Sequence, residues 1–435
     1  MIKKVLLLML SAGGIFAQSK VVPFEREILD NGMEVIYSID KSAPVVTVVV
    51  HYKVGSKDED QNRTGFAHFF EHLMFEATNE IERAKITEYI NEVGGDLNAY
   101  TSFDETVYHS TVPSNQIKLP LWIEASRMRG LKVENIGVET QRGVVKEERR
   151  NRYENQPYGD AFERICKELF IGSQYEWTPI GSMEHLNKAA VAEFQNFYNT
   201  YYQPNNAILS ICGDINIDSA KKYVRDYFGA FEKTAPIIRR KNLVADLKSE
   251  KNIEIEDAKA QVPAMFIVYK APNFSDDDYY AFSLLRSIIS AGESSRIYRT
   301  LVDKLELASA ASMDIENLEN SGLAFFQFIP NNDVKPSKIK DEFDNLLEEL
   351  IKKGIDDKEL QKVKNIAEAQ NINGLNMTVT KAVQLAHYQR YLGDPNYLNT
   401  EIKKLMDVKK SDLIKVAKKY LGEKNRLVLT YVPKK

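Results

Sequence analysis

The chain repeats one pattern of strands and helices twice, and this repeat constrains its fold more than any other feature. An apolar, β-branched run at residues 44–53 recurs at residues 262–270, with an offset of 217 positions between the Tyr-Lys pairs that end both runs. Near the ends of the halves, the helical positions 194, 197 and 201 and the following position 206 match positions 413, 416, 420 and 425, at an offset of 219. Each series leads into an apolar run, 207–211 and 427–431. Two independent matches at nearly one offset indicate a duplication.

The repeat predicts an α+β protein made of two homologous domains, each an antiparallel-rich sheet packed with helices. A length of 435 residues is compatible with this number of domains. We expect the N-terminal domain at residues 18–235, a charged, proline-containing linker at 236–250, and the C-terminal domain at 251–435.

The first residues have the pattern of a removable leader. Lys3 and Lys4 precede the apolar run 5–10, and small residues follow as far as Ala17. The run is too short to span a bilayer, and no later stretch is long and apolar enough to do so. We therefore predict a signal peptide at residues 1–17, no membrane span, and an exported protein that is periplasmic or secreted.

Composition excludes two classes of function. The chain has 58 Lys and Arg against 62 Asp and Glu, a net charge of −4, which supplies no electrostatic reason to bind nucleic acid. Its two cysteines, Cys166 and Cys212, are too few for a disulfide framework or an all-thiolate metal site. We expect both to be small buried residues.

The stretch 65–75 has a helical, mostly apolar pattern, and its polar members are His68, Glu71 and His72. His68 and His72 are four residues apart, so on a helix both imidazoles point to one face and can bind a single zinc ion. Glu71 lies beside them as a possible base, in the inverted order H-x-x-E-H. A chance match and a pair of core histidines are the alternatives. The second requires the burial of three ionisable groups on an apolar helix, which is costly.

A hydrolytic zinc site needs a third protein ligand and an open position for water. The helical-looking run 144–150 offers Glu147 and Glu148, and their spacing alone does not decide between them. A solvated charge on a helix face is the alternative for either. We expect structural roles for the remaining histidines, which are His51, His109, His185 and His387.

The H-x-x-E-H motif and the run at 144–148 resemble those of the pitrilysin/insulinase metallopeptidases, which include the mitochondrial processing peptidases. The resemblance covers nearly the whole chain after the leader. It implies that Glu148 is the third ligand and that His68, His72 and Glu148 hold one Zn²⁺ per chain. Glu71 would be the general base of peptide hydrolysis, and Glu147 would be a surface residue.

A second block, 94–101, resembles the edge strand beside the zinc in that family. There a peptide or unfolded protein substrate adds to the strand by backbone pairing, which implies Asn98 and Ala99 as substrate contacts. An ordinary hairpin strand after a Gly-Gly turn is the alternative. Gln141 stands where many relatives have a glutamate that supports the site, and it could still form a hydrogen bond with a ligand.

The second half departs from the active pattern. Leu285 stands where the histidine-bearing helix would recur, and Val302 and Ser309 stand where active relatives carry an Arg and a Tyr that bind substrate or the developing oxyanion. The favoured hypothesis is therefore a catalytic subunit in a heterodimer whose homologous partner supplies that pair. The alternatives are a self-sufficient homodimeric peptidase and an inactive, zinc-binding scaffold. The presence of Glu71 weighs against the scaffold.

Overall fold

The computed structural model describes residues 21–241 and 244–434, so the predicted signal peptide lies outside the described residues. Strands of the first half are β1 (Glu25–Ile28), β2 (Glu34–Ile39), β3 (Val45–Tyr52), β4 (Asp96–Thr101), β5 (Thr106–Pro113) and β6 (Ala207–Gly213). Its helices are α1 (Phe66–Leu73), α2 (Lys85–Glu92), α3 (Lys118–Gly130), α4 (Asn135–Arg149), α5 (Ala161–Leu169), α6 (Met183–Lys188), α7 (Val191–Tyr201) and α8 (Ile217–Phe228).

Strands of the second half are β7 (Lys251–Asp257), β8 (Ala264–Ala271), β9 (Ala308–Asn317), β10 (Gly322–Pro330) and β11 (Arg426–Pro433). Its helices are α9 (Tyr279–Ser290), α10 (Pro336–Lys353), α11 (Asp357–Gly374), α12 (Thr378–Leu392), α13 (Tyr397–Asp407) and α14 (Lys410–Tyr420). Among the described residues, no helix is both long and apolar enough to cross a membrane.

The strands form one sheet in each half, and the two sheets have matching topology. The first has the order β1-β2-β6-β3-β5-β4 and the second the order β7-β11-β8-β10-β9. Only the pairs β2–β6 and β7–β11 are parallel, and all the others are antiparallel. The predicted α+β fold with two antiparallel-rich domains is confirmed, while the boundaries at 235 and 251 stay a prediction.

Strand register explains the two offsets seen in the sequence. Tyr52 of β3 pairs with Ala207 of β6, and Tyr269 of β8 pairs with Arg426 of β11. Tyr52 and Tyr269 are 217 positions apart, and their strand partners Ala207 and Arg426 are 219 positions apart. The two offsets therefore belong to the two residues of one equivalent pair in each sheet. Strand β1 extends the first sheet by one strand that the second sheet, within the described residues, does not have.

The central strand β3 is buried on both faces because it lies between two layers of helices. Alternate residues from Val46 to Tyr52 face the larger core of the first half. On the opposite face, Val49 packs against Ala382, and Thr47 forms a hydrogen bond with Thr378 at 2.8 Å. Both partners lie on α12, so a helix of the second half covers the first sheet.

The reverse contact is made by α5 of the first half. Ile165 and Leu169 of this helix share a core with Val268 and Leu429 of the second sheet. Each half therefore supplies one helix to the sheet of the other half. Cys166 belongs to the same core, and both it and Cys212 are free and buried, as the sequence predicts.

This exchange can be tested with Leu385→Ala on α12, which removes a fully buried side chain from the face of the first sheet. We expect the free energy of unfolding to fall by about 3 kcal/mol because a cavity is left. Both tryptophans, Trp122 and Trp177, lie in the first half. The midpoint of urea unfolding, followed by tryptophan fluorescence, should therefore move to a lower urea concentration. Ile366→Ala, at an exposed position, should change the midpoint little.

Candidate metal centre

Helix α1 presents its histidines because its apolar residues occupy the opposite face. Phe66, Phe69, Phe70 and Leu73 are buried in the first core. Before the helix, the buried carboxylate of Glu59 accepts hydrogen bonds from the backbone N–H groups of Gly65 at 2.9 Å and Ala67 at 2.7 Å. These bonds satisfy amides that would otherwise lack partners at the helix start. They hold α1 at a defined position, although the sequence does not single out Glu59.

Three donor atoms converge beside this helix. Nε2 of His68 and Nε2 of His72 each lie 3.5 Å from Oε2 of Glu148. A tetrahedral zinc ion with bonds of about 2.0–2.1 Å keeps its ligand atoms roughly 3.3 Å apart. The spacing and the donor set therefore fit one zinc ion. Within the described ranges, this is the one group of three or more His, Cys, Asp or Glu residues close enough to share a metal.

The protonation states at the site suit metal binding. Burial, with the neighbouring His72, lowers the pKa of His68 to about 4, so its imidazole is neutral near pH 7. A hydrogen bond with His72 lowers the pKa of Glu148, which favours its carboxylate form. Both ligand types bind metal in these forms. Arg152 contacts the other carboxylate oxygen of Glu148, Oε1, at 3.0 Å.

Glu71 is joined to strand β4. Its Oε2 accepts a hydrogen bond of 2.6 Å from the hydroxyl of Thr101, the last residue of that strand. Burial raises the pKa of Glu71, and the Thr101 hydrogen bond opposes this shift. Thr101 is not among the residues predicted from the sequence. Strand alternation could have found it, because Thr101 is two residues after Ala99 and lies on the same face of the strand.

Strand β4 ends the first sheet, and its outer edge pairs with no strand of the described residues. Ala99 packs against the first core, while Asn98 is exposed and its side-chain oxygen accepts a hydrogen bond from the N–H of Ala99 at 2.8 Å. The backbone along this edge lies next to Glu71. The roles of Asn98 and Ala99 as substrate contacts stay a prediction.

Two other candidate residues lie farther from the donors. The side-chain amide of Gln141 donates to Glu76 at 2.7 Å, and Glu76, which is buried, also binds Arg83. The role of Gln141 in supporting a ligand stays a prediction. Its observed partner, Glu76, is not a residue that the sequence pattern singles out. Glu147 is exposed and pairs with Arg150 at 3.1 Å, so the structure places it at the surface.

The corresponding region of the second half is apolar. Leu285, Ile288 and Ile289 of α9 are buried in the second core. Val302 packs against that core, and the hydroxyl of Ser309 donates to the carbonyl of Ile329 at 3.3 Å. Neither position carries a cationic or phenolic donor. Of the other histidines, His51 lies 3.0 Å from Glu105, and Nδ1 of His185 lies 2.8 Å from the hydroxyl oxygen of Thr64.

The choice between adjacent glutamates gives a matched test of the metal centre. We expect Glu148→Gln to weaken zinc binding at least about tenfold, because an amide is a poor substitute for an anionic ligand. Glu147→Gln should retain the zinc content of the unmodified protein. Metal analysis after dialysis against a competing chelator measures both variants. Equal zinc loss in the two would contradict the assignment of Glu148.

Comparison with known proteins identifies related sequences. Residues 34–178 match the family model described as Insulinase (Peptidase family M16), and residues 188–367 match the model described as Peptidase M16 inactive domain. The Helicobacter pylori protein named zinc protease PqqE is 31% identical over 97% of this chain and 95% of its own length. An uncharacterized zinc protease of Streptomyces coelicolor is 22% identical over 92% of this chain and 88% of its own length.

Solved structures share the fold. A protease from Helicobacter pylori superposes with a TM-score of 0.91 at 28% identity, covering 95% of this chain and 100% of the other. The first half of the periplasmic protease PqqL from Escherichia coli has a TM-score of 0.78 at 20% identity, covering 96% and 93%. Together with the family models and the identity to PqqE across nearly the full length of both chains, these matches show that the chain belongs to the pitrilysin/insulinase family, peptidase family M16.

Proposed function

We propose that the chain is a zinc endopeptidase that hydrolyses peptides or unfolded segments of proteins. One observation carries this proposal: the donors of His68, His72 and Glu148 converge beside Glu71, next to the unpaired edge of β4. The names of relatives such as zinc protease PqqE agree with it. One Zn²⁺ per chain is the expected stoichiometry.

Zinc held by His68, His72 and Glu148 would act as a Lewis acid, which lowers the pKa of water and polarises the peptide carbonyl. Glu71 is the general base that takes a proton from the attacking water and later delivers it to the nitrogen of the leaving amine. Thr101 orients this carboxylate by holding Oε2 through its hydroxyl. Oε1 of Glu71 would then be the oxygen that takes the proton.

A substrate in extended conformation adds to β4 by backbone hydrogen bonds, with Asn98 and Ala99 on the strand that it contacts. Backbone pairing recognises the main chain, so it tolerates varied side chains. The binding mode therefore favours unfolded segments, since a folded protein does not present a free strand. Gln141 would support the site through Glu76.

We further propose that this chain is the catalytic subunit of a heterodimer with a homologous partner. Val302 and Ser309 cannot supply the cationic and phenolic groups that stabilise an oxyanion, so a second chain would bring them. A homodimer with other donors and an inactive scaffold are the alternatives that experiment must separate. The leader-like N-terminus and the periplasmic relative PqqL support an exported, periplasmic protein.

The role of Glu71 is tested by Glu71→Gln, which removes the base and keeps the size of the side chain. We expect peptide hydrolysis to fall at least about a thousandfold, while zinc content stays unchanged because Glu71 is not a ligand. The exposed Glu147→Gln is the matched control and should retain full activity. Hydrolysis that persists in zinc-loaded Glu71→Gln would contradict the mechanism.

The heterodimer is tested by assaying the purified, zinc-loaded chain alone and with a homologous chain that carries the Arg and Tyr. We expect slow cleavage of a quenched fluorescent peptide library by the single chain and at least about a hundredfold faster cleavage by the mixture. Rapid cleavage by the chain alone would support the homodimer. A mixture that binds zinc and stays inactive would support the scaffold.

A further inference from the structure

We infer that the second half of the chain positions the edge strand β4 for peptide binding, through a contact between two hairpin turns in which Asp104 and Glu319 are the positioning residues. The first turn, residues 102–105, joins β4 to β5, and the second, residues 318–321, joins β9 to β10. The inference rests on the proposed function, because it concerns how the substrate-binding strand is held.

An apolar contact fixes the tip of the first turn. Phe103 is 2% exposed and belongs to the core that lies under the second sheet. Its ring lies 6.2 Å from that of Phe162 on α5, and the ring of Phe162 lies 5.9 Å from that of Phe325 on β10. Leu318 of the second turn is buried in the same core. The tip of the β4–β5 turn therefore lies in a core that it shares with side chains of the second sheet, and Phe162 joins the two.

A polar contact lies beside it. The buried carboxylate of Asp104 accepts a hydrogen bond from the backbone N–H of Glu319 at 2.9 Å. The same carboxylate accepts from the hydroxyl of Tyr175 at 2.8 Å and from the ammonium group of Lys57 at 2.7 Å. A buried carboxylate needs such partners, because an unpaired one is strongly destabilising. The two turns therefore share one hydrogen-bonded cluster.

The side chain of Glu319 completes the cluster. It contacts Lys57 and forms two hydrogen bonds with Arg390 on α12, of 3.2 and 2.8 Å. Burial alone would raise the pKa of Glu319, but Arg390 and Lys57 lower it to about 2, so the carboxylate is charged at neutral pH. Bidentate Arg–carboxylate pairs impose a defined geometry. Glu319, which lies in the second turn, therefore binds the first turn through its backbone N–H and α12 through its carboxylate.

The first turn is close in the chain to the reacting groups. Thr101, which binds Glu71, directly precedes residue 102. The segment before α1 also contacts the turn, since the N–H of Ser56 donates to Ser102 at 3.2 Å and the N–H of Lys57 donates to Phe103 at 3.0 Å. A shift of this turn would displace the end of β4, and with it the edge to which a peptide binds.

The test uses the full-length, zinc-loaded chain carrying Glu71→Gln, so that peptide is bound and not cut. Glu319→Gln is added to this parent, because Glu319 is partly exposed and the change keeps its size. We expect the Kd for a fluorescein-labelled, unstructured casein peptide to rise about tenfold. Amide hydrogen exchange in β4 should quicken, while zinc content stays unchanged. Glu319→Asp, which retains the charge, should recover part of the affinity.

Glu359→Gln is the matched control. Glu359 forms the same kind of two-bond pair with Arg296, at 2.9 and 2.6 Å, within the second half. We expect this variant to bind peptide like the parent. Equal weakening by both variants, or a Glu319→Gln variant whose Kd and β4 exchange match the parent, would overturn the inference. If Glu319→Gln fails to fold, Arg390→Lys gives the same comparison, because it keeps the charge and loses the bidentate geometry.

The behaviour of the parent protein, which carries only Glu71→Gln, distinguishes a failure of this inference from a failure of the proposed function. A parent that holds zinc and binds no peptide contradicts the proposed peptidase, whatever the variants do. In that case the exchange rates in β4 still decide whether the second half positions this strand. A parent that binds peptide with an affinity unaffected by Glu319→Gln leaves the peptidase proposal intact and rejects only the positioning role.

Discussion

The central strands of both sheets are buried on both faces, and the rest of the structure depends on covering each of them from two sides. The helices of each half cover one face of its own sheet. The opposite face is covered by one helix from the other half, α12 on the first sheet and α5 on the second. This requirement packs the two halves against each other. It also places the β4–β5 turn against the second half, next to the metal centre.

Much of the fold and the convergence of the candidate metal ligands could be predicted from the sequence, because both are encoded in local periodicity. The repeat predicted two related sheets, and the spacing of His68 and His72 predicted one helix face with two donors. The choice of Glu148 over Glu147 required either a family resemblance or coordinates. Adjacent residues of a helix point in different directions, and the sequence does not say which of the two faces the histidines. The helix exchange is a tertiary contact that no local pattern encodes. Strand alternation places Thr101 on the same face as Ala99, but it does not identify Glu71 as the partner of Thr101.

The second half shows how the same fold persists without a metal centre. In α9 the positions that correspond to the histidines carry apolar residues such as Leu285 and Ile289, which are buried in the core. Apolar side chains there need no ligand or hydrogen-bond partner, so the helix is stabilised by packing alone. The duplicated unit is thus a scaffold on which one copy carries the proposed zinc ligands. The other copy contributes α12, the β9–β10 turn and the contacts they make.

The reciprocal placement of α5 and α12 has a consequence for the repeat unit itself. A single copy cannot cover both faces of its own sheet, because one of the covering helices belongs to the other copy. Such a unit could bury that face only by exchanging its helix with a second molecule, which is the arrangement of a domain-swapped dimer. Joining two copies in one chain makes the exchange intramolecular, so that assembly of the two sheets no longer depends on protein concentration.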